Sequence, residues 1–141
     1  MGKTIGYTSG VFDLFHIGHL NLLKNARDQC DYLIVSVSVD ELVAYKGKHP
    51  VIPFEERIEI IRAIRYVDEA IPQISMDKIA VWKQCHFNKI FVGDDWKNTE
   101  KWNAYEQQFQ QVGVEVVYFP YTVTTSSTLI NETLLQLREE K

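Results

Sequence analysis

The chain is poor in several features, and each shortage excludes something. It has two cysteines, Cys30 and Cys85, far apart, with no CxxC and no Cys/His ligand spacing. That excludes a disulfide scaffold and a zinc module and predicts two reduced, buried thiols in a cytoplasmic protein. No apolar stretch approaches the roughly 20 residues that span a bilayer. The first residues lack the basic-then-apolar pattern of a signal peptide, so neither membrane insertion nor secretion is expected. Positive charge is also short: 15 Lys and Arg stand against 19 Asp and Glu, for a net charge of −4. Non-specific nucleic-acid binding needs a basic surface and is not expected here. There are no repeats, low-complexity tracts or interdomain linker, and 141 residues fit one domain with a substantial core.

What is present is alternation. Apolar, β-branched runs near residues 4–9, Tyr32–Val39, Asp68–Pro72, Lys89–Val92 and Val114–Phe119 read as strands. Between them lie helical patterns over His19–Cys30, Asp40–Ala44, the segment after Pro53 with Ile58, Ile61 and Ile64, Met76–Cys85 and Lys101–Val112. An amphipathic helix with Leu129, Ile130, Leu134 and Leu137 closes the chain. Strands alternating with helices predict an α/β fold, a parallel sheet with helices on both faces. Ligands of such sheets bind beyond the carboxyl ends of the strands. The loops at 10–19, 45–50, 93–96 and 120–128 are placed to converge there.

The first of these loops is the most telling. Gly10-Val11-Phe12-Asp13-Leu14-Phe15-His16-Ile17-Gly18-His19 joins a strand to a helix. A glycine turn leading into a helix aims backbone N–H groups and the helix's positive end at an anion. Two histidines three residues apart lie close enough to serve one ligand. In an acidic chain, phosphate chemistry further requires cations concentrated at the site.

Four ordered blocks extend the pattern: Gly10-x-Phe12-Asp13-x-x-His16-x-Gly18-His19; Arg57; Arg65-Tyr66-Val67-Asp68-Glu69; and Val92-Gly93-Asp94-Asp95-Trp96. With these the sequence resembles the cytidylyltransferase family over almost its full length, most closely the small glycerol-3-phosphate cytidylyltransferases. The resemblance implies a Rossmann-like fold of about five parallel strands, a homodimer, magnesium, and cytidylyl transfer from CTP to a small phosphate ester. It implies catalytic roles for His16, His19, Lys46, Arg57 and Arg65. Gly10, Val11, Phe12, Gly18, Asp94, Trp96, Tyr121, Thr122, Ser126, Ser127 and Thr128 would contact the nucleotide, and Lys48 the acceptor. Magnesium is expected on phosphates and water.

The chain also departs from the family. The late motif begins with arginine in relatives such as RTEGISTT, whereas Tyr121 stands here and Thr124 takes the glycine position. Asn131 replaces the arginine of the related ISSTxIR pattern. Arg57 and Arg65, eight residues apart on one expected helix, would then share a face and carry more of the phosphate electrostatics. Ion pairing with Glu55, Glu59 or Glu69 is the alternative for both. Lys46 and Lys48 flank Gly47 and serve either phosphate or solvent. Asp94 and Asp95 suit base or ribose contacts, a metal, or the orientation of an arginine. Trp96 either walls the base pocket or packs in the core. Asp13 orients a histidine, assists a metal or caps a helix. Ser126, Ser127 and Thr128 form a phosphate cradle or an N-cap.

Overall fold

The structure is a computed structural model and describes residues 3–45, 47–120 and 132–137. In chain order the elements are β1 (Ile5–Gly10), α1 (Ile17–Asp28), β2 (Tyr32–Ser38), α2 (Asp40–Tyr45), α3 (Phe54–Arg62), β3 (Glu69–Gln73) and α4 (Lys78–Cys85). They continue with β4 (Lys89–Gly93), a 3₁₀ turn (Asp94–Trp96), α5 (Glu100–Gln111) and β5 (Glu115–Phe119). Residues 132–137 are helical.

Among the described residues five strands form one parallel sheet in the order β3-β2-β1-β4-β5. The chain winds outward from β1 to β3, then crosses back to place β4 on the other side of β1. The carboxyl end of β1, beside β4, is therefore the topological switch point, where such sheets open a crevice. Gly10 pairs with Val37 at that end.

Alternation along the strands divides the core between the two faces. Leu33, Val35 and Val37 pack with Leu23, Ala26, Ile58 and Ile61 of α1 and α3. Tyr7, Ile34 and Ile90 pack with Phe87, Trp102, Phe109 and Val114 on the α5 side. Gly6 sits mid-strand because a Cβ there would stand 2.6 Å from the Phe91 ring and 2.7 Å from Cys30 Sγ. Both cysteines are half-buried free thiols, and burial raises their pKa values, which keeps them unreactive. No helix among the described residues is long and apolar enough to cross a membrane.

Two boundaries differ from expectation in ways that matter. Helix α1 begins at Ile17, because His16 caps it. Helix α3 ends at Arg62 instead of running through Arg65. Tight turns, Ile64 N–H to Ile61 O and Val67 N–H to Ile64 O, keep Ile64 and Val67 against the core and lead directly into β3. Arg57 and Arg65 consequently share neither a helix nor a face.

Candidate active site

At the end of β1 the chain must turn sharply to enter α1. Phe12 (φ 55°) and Leu14 (φ 50°) take left-handed backbone, which strains a non-glycine residue by about 1 kcal/mol or more. Buried Phe12 anchors the turn, with its ring in the space Gly10 leaves open. A Cβ on Gly10 would lie 3.1 Å from it.

His16 and His19 hold the start of α1 reciprocally. Nδ1 of His16 accepts the Gly18 N–H at 3.0 Å, and Nδ1 of His19 accepts the His16 N–H at 3.3 Å. The rings stack with centroids 3.9 Å apart, and Phe12 and Phe15 pack against His19 at 5.4 and 5.3 Å. Burial lowers the pKa of His16. It lowers that of His19 to about 4, helped by the charge of His16 and opposed by that of Asp13. Both imidazoles are therefore neutral near pH 7. Since each Nδ1 accepts a hydrogen bond, each ring carries its proton on Nε2. The capping role and a ligand-binding role use different nitrogens, so the same pair serves both.

Asp13 neither caps the helix nor stands as an open metal ligand. Its carboxylate accepts the Val51 and Ile52 N–H groups at 2.8 and 3.0 Å, fixing that loop to the turn. Arg57 corrects the sequence expectation more strongly. Its side chain is 0% exposed. Nε donates to Ile52 O at 2.8 Å, and Nη1 donates to Val11 O at 2.8 Å and Ser38 O at 2.7 Å. Nη2 donates to Asp40 Oδ1 at 2.6 Å. Arg57 has no surface to offer a phosphate, so it is a positioning residue that ties the ends of β1 and β2 to the loop before α3. Its ionic partner is Asp40, not one of the three glutamates expected.

Arg65 does not join the histidines either. It lies exposed between α3 and β3, at the amino edge of the sheet, one strand length from the carboxyl edge. There it stacks on Tyr66, 5.2 Å from the ring centroid. Lys48 is exposed on the loop after α2. Asp94 and Trp96 stand at the carboxyl end of β4, next to β1, and Trp96 is 46% exposed, which removes the core-packing alternative. Lys46, Tyr121, Thr122, Ser126, Ser127, Thr128 and Asn131 lie outside the described residues.

Sequence reasoning missed Lys78. It is the first residue of α4, buried at 6% exposure, with Nζ 2.6 Å from Ser9 Oγ, one residue before Gly10. Asp77 caps this helix through the Ile79 and Ala80 N–H groups. A lysine in a first helical turn opposes the helix dipole, and that local misfit is the signal that marks it in the sequence. By contrast, the cavity of about 410 Å³ lined by Asp40, Glu41, His49 and Pro50 presents carboxylates and suits no phosphate.

A family model described as cytidylyltransferase-like matches residues 7–134. The chain belongs to the cytidylyltransferase-like family. It is a nucleotidyltransferase, and the histidine turn lies at the switch point of its sheet. It is 39% identical over 138 residues to the glycerol-3-phosphate cytidylyltransferase of Bacillus subtilis (strain 168), covering 97% of this chain and 100% of that one. It is 38% identical over 119 residues to the FAD synthase of Pyrococcus abyssi, covering 79% and 77% of the two chains. Among solved structures, the lipopolysaccharide core biosynthesis protein from Thermoplasma volcanium superposes with a TM-score of 0.72 at 26% identity, covering 86% of this chain and 98% of that one.

Proposed function

We propose that this nucleotidyltransferase moves a cytidylyl group from CTP to glycerol 3-phosphate, giving CDP-glycerol and pyrophosphate. An oxygen of the acceptor phosphate attacks the α-phosphorus in line. The bond from that phosphorus to the bridging oxygen breaks, and pyrophosphate leaves. The attacking oxygen is already anionic near neutral pH, so the step needs positioning and charge stabilisation, not a base.

The observation that carries this reading is the hydrogen bonding of the histidine pair. Both rings give Nδ1 to the backbone and keep an Nε2–H donor for phosphate oxygens. Neutral donors fixed before substrate arrives need no reorganisation in the transition state. One such donor is typically worth about 2.7–4 kcal/mol of barrier. Lys78 beside Ser9 supplies positive charge for the acceptor phosphate. Lys46 and Lys48 supply it from the loop, and Ser126, Ser127 and Thr128 of the late motif offer neutral hydroxyl donors to the nucleotide phosphates. Asp94 and Trp96 face the nucleoside.

Magnesium belongs to this reading only as the companion of CTP. Among the described residues no three His, Cys, Asp or Glu side chains converge as a cation site, and the Asp13 oxygens are engaged by backbone amides. The described residues offer no cage of several protein ligands, so the ion would be held by the nucleotide's phosphates and water. A homodimer and a cytoplasmic location complete the proposal; light scattering on the purified protein tests the first.

The identity of the nucleotide and acceptor is tested by pyrophosphate release with CTP, ATP, UTP and GTP against glycerol 3-phosphate, phosphocholine, phosphoethanolamine and other polyol phosphates. CTP with glycerol 3-phosphate is the expected pair. Turnover with ATP alone refutes the cytidylyl assignment. The FAD synthase relative at 38% identity favours, as a second reading, another nucleotide or phosphate ester on the same site.

A further inference from the structure

Lys78 is buried, yet the segment that delivers it is open to solvent. Ile74, Ser75 and Asp77 are exposed, and Met76 is half-buried. Part of the segment's shape is local. Ser75 Oγ accepts the Asp77 N–H at 3.1 Å, and Asp77 Oδ1 accepts the Ile79 and Ala80 N–H groups at 3.0 and 3.2 Å. These bonds make the turn and cap α4, but they move with the helix as one body. They do not fix where the helix start sits on the sheet.

A tether from a distant element does. Tyr105 on α5 donates its hydroxyl to the Met76 carbonyl at 3.1 Å, across 29 residues of chain. Met76 is two residues before Lys78. The Tyr105 ring packs along its own helix face, against Trp102 at 5.1 Å and Phe109 at 6.0 Å. Both of those side chains are buried in the core with Phe87 and Ile90. The phenol oxygen is therefore held by the interior and not by the surface loop it grips. On the far side of Met76, Lys78 Nζ lies 2.6 Å from Ser9 Oγ, beside Gly10. The start of α4 is thus anchored twice, to the core through Tyr105 and to the central strand through Lys78.

We infer that Tyr105 is a positioning residue for acceptor binding: its hydroxyl, through the Met76 carbonyl, sets the start of α4 so that the Lys78 ammonium stands at the acceptor phosphate. This rests on the proposed reaction, in which Lys78 meets that phosphate. An ammonium is a point charge on a flexible stem, so its placement depends on where its backbone is anchored. A misplacement of about 1 Å at a reacting site can cost about 100-fold. The nucleoside loop does not depend on this tether. Thr99 Oγ1 donates to Trp96 O at 2.7 Å at the start of α5, a bond that does not involve the Tyr105 hydroxyl. Loss of the tether therefore falls on the acceptor and spares the nucleotide.

The test is Tyr105→Phe, which removes the hydroxyl and keeps the ring. It is assayed with CTP and glycerol 3-phosphate, or whichever phosphate ester the wild type turns over, each varied in turn. The acceptor kcat/KM is expected to fall about 3–10-fold, chiefly through KM, while the KM for CTP stays within about 2-fold of wild type. The double variant separates positioning from a general loosening of the fold. Added to Lys78→Met, Tyr105→Phe is expected to change the acceptor KM no further, because the tether acts through the lysine. Tyr105→Met, also without the hydroxyl, is the second variant, and circular dichroism with thermal melting identifies which variant is folded. Unchanged acceptor kinetics in a folded variant overturn the inference, as do an equal loss for CTP or losses that multiply in the double variant; the nucleotidyl-transfer reading then stands. An unchanged acceptor KM in Lys78→Met removes the phosphate role of Lys78 and the tether's role with it. No wild-type turnover with any ester refutes the proposed reaction and the inference built on it.

Discussion

The backbone N–H of His16 is held by the ring of His19, 3.3 Å from its Nδ1, while the two rings stack at 3.9 Å. The His16 amide thus fixes the tautomer of His19, and the Gly18 amide fixes that of His16. Replacement must separate capping from chemistry. An N-cap exchanged for alanine loses about 0.5–2 kcal/mol, whereas asparagine caps well. His16→Asn is therefore expected to melt near the wild-type temperature yet lower kcat by about two to three decades. His19→Ala is expected to lower kcat similarly. Near-normal turnover in either folded variant rules out the donor role.

The pH behaviour of His19 follows from its packing. Its folded pKa, about 4, lies below the usual 6.5. The unfolded chain thus takes up this proton first on acidification. Its contribution to stability is complete above about pH 6.5, declines as pH falls from there towards 4, and levels off below. NMR titration of the imidazole is expected to show a neutral ring down to about pH 5. In Phe15→Ala, which uncovers the ring, the midpoint is expected to rise towards 6.5. A wild-type midpoint near 6.5 refutes the neutral pair.

Arg57→Ala leaves the carbonyls of Val11, Ser38 and Ile52 without their donor. At about 1–3 kcal/mol for each buried group, a loss of about 3 kcal/mol or more is expected in urea unfolding. Arg57→Lys is expected to recover little, since an ammonium cannot span four acceptors in one plane. A Tm within a degree or two of wild type contradicts the positioning role.

Lys78→Met is expected to raise KM for the acceptor phosphate about 10-fold or more while KM for CTP moves little. Steady-state kinetics with each substrate varied in turn measures the split. A larger effect on CTP than on the acceptor would assign Lys78 to the nucleotide instead.

Much of this architecture was legible in the sequence because hydrophobic period and glycine placement act locally. The alternation of strands and helices, the turn from Gly10 to His19 and the ligand edge of the sheet all follow from neighbours within a dozen residues. What was not legible depended on chain reversal. Arg57 and Arg65 look alike at a spacing of eight, yet α3 stops between them. One is then sealed inside the molecule and the other carried to the far edge. Trp96 admitted two readings until its exposure decided between them. Lys78 is distant in sequence from the histidines, and only the parallel register of β1, β2 and β3, which ends β3 at the carboxyl edge just before α4, brings it to Ser9.

The clamp of Asp13 and Arg57 on residues 51 and 52 has a consequence in time as well as in space. Asp13 holds two amide hydrogens of that segment, and Arg57 holds one of its carbonyls. Val51 is itself 53% exposed, and by composition the stretch belongs with the fast-exchanging loops. Its amides are released only when the Asp13 carboxylate lets go of them. In deuterium exchange these two positions are therefore expected to be slower than their exposure suggests, and Asp13→Ala is expected to return them to the rate of an open loop.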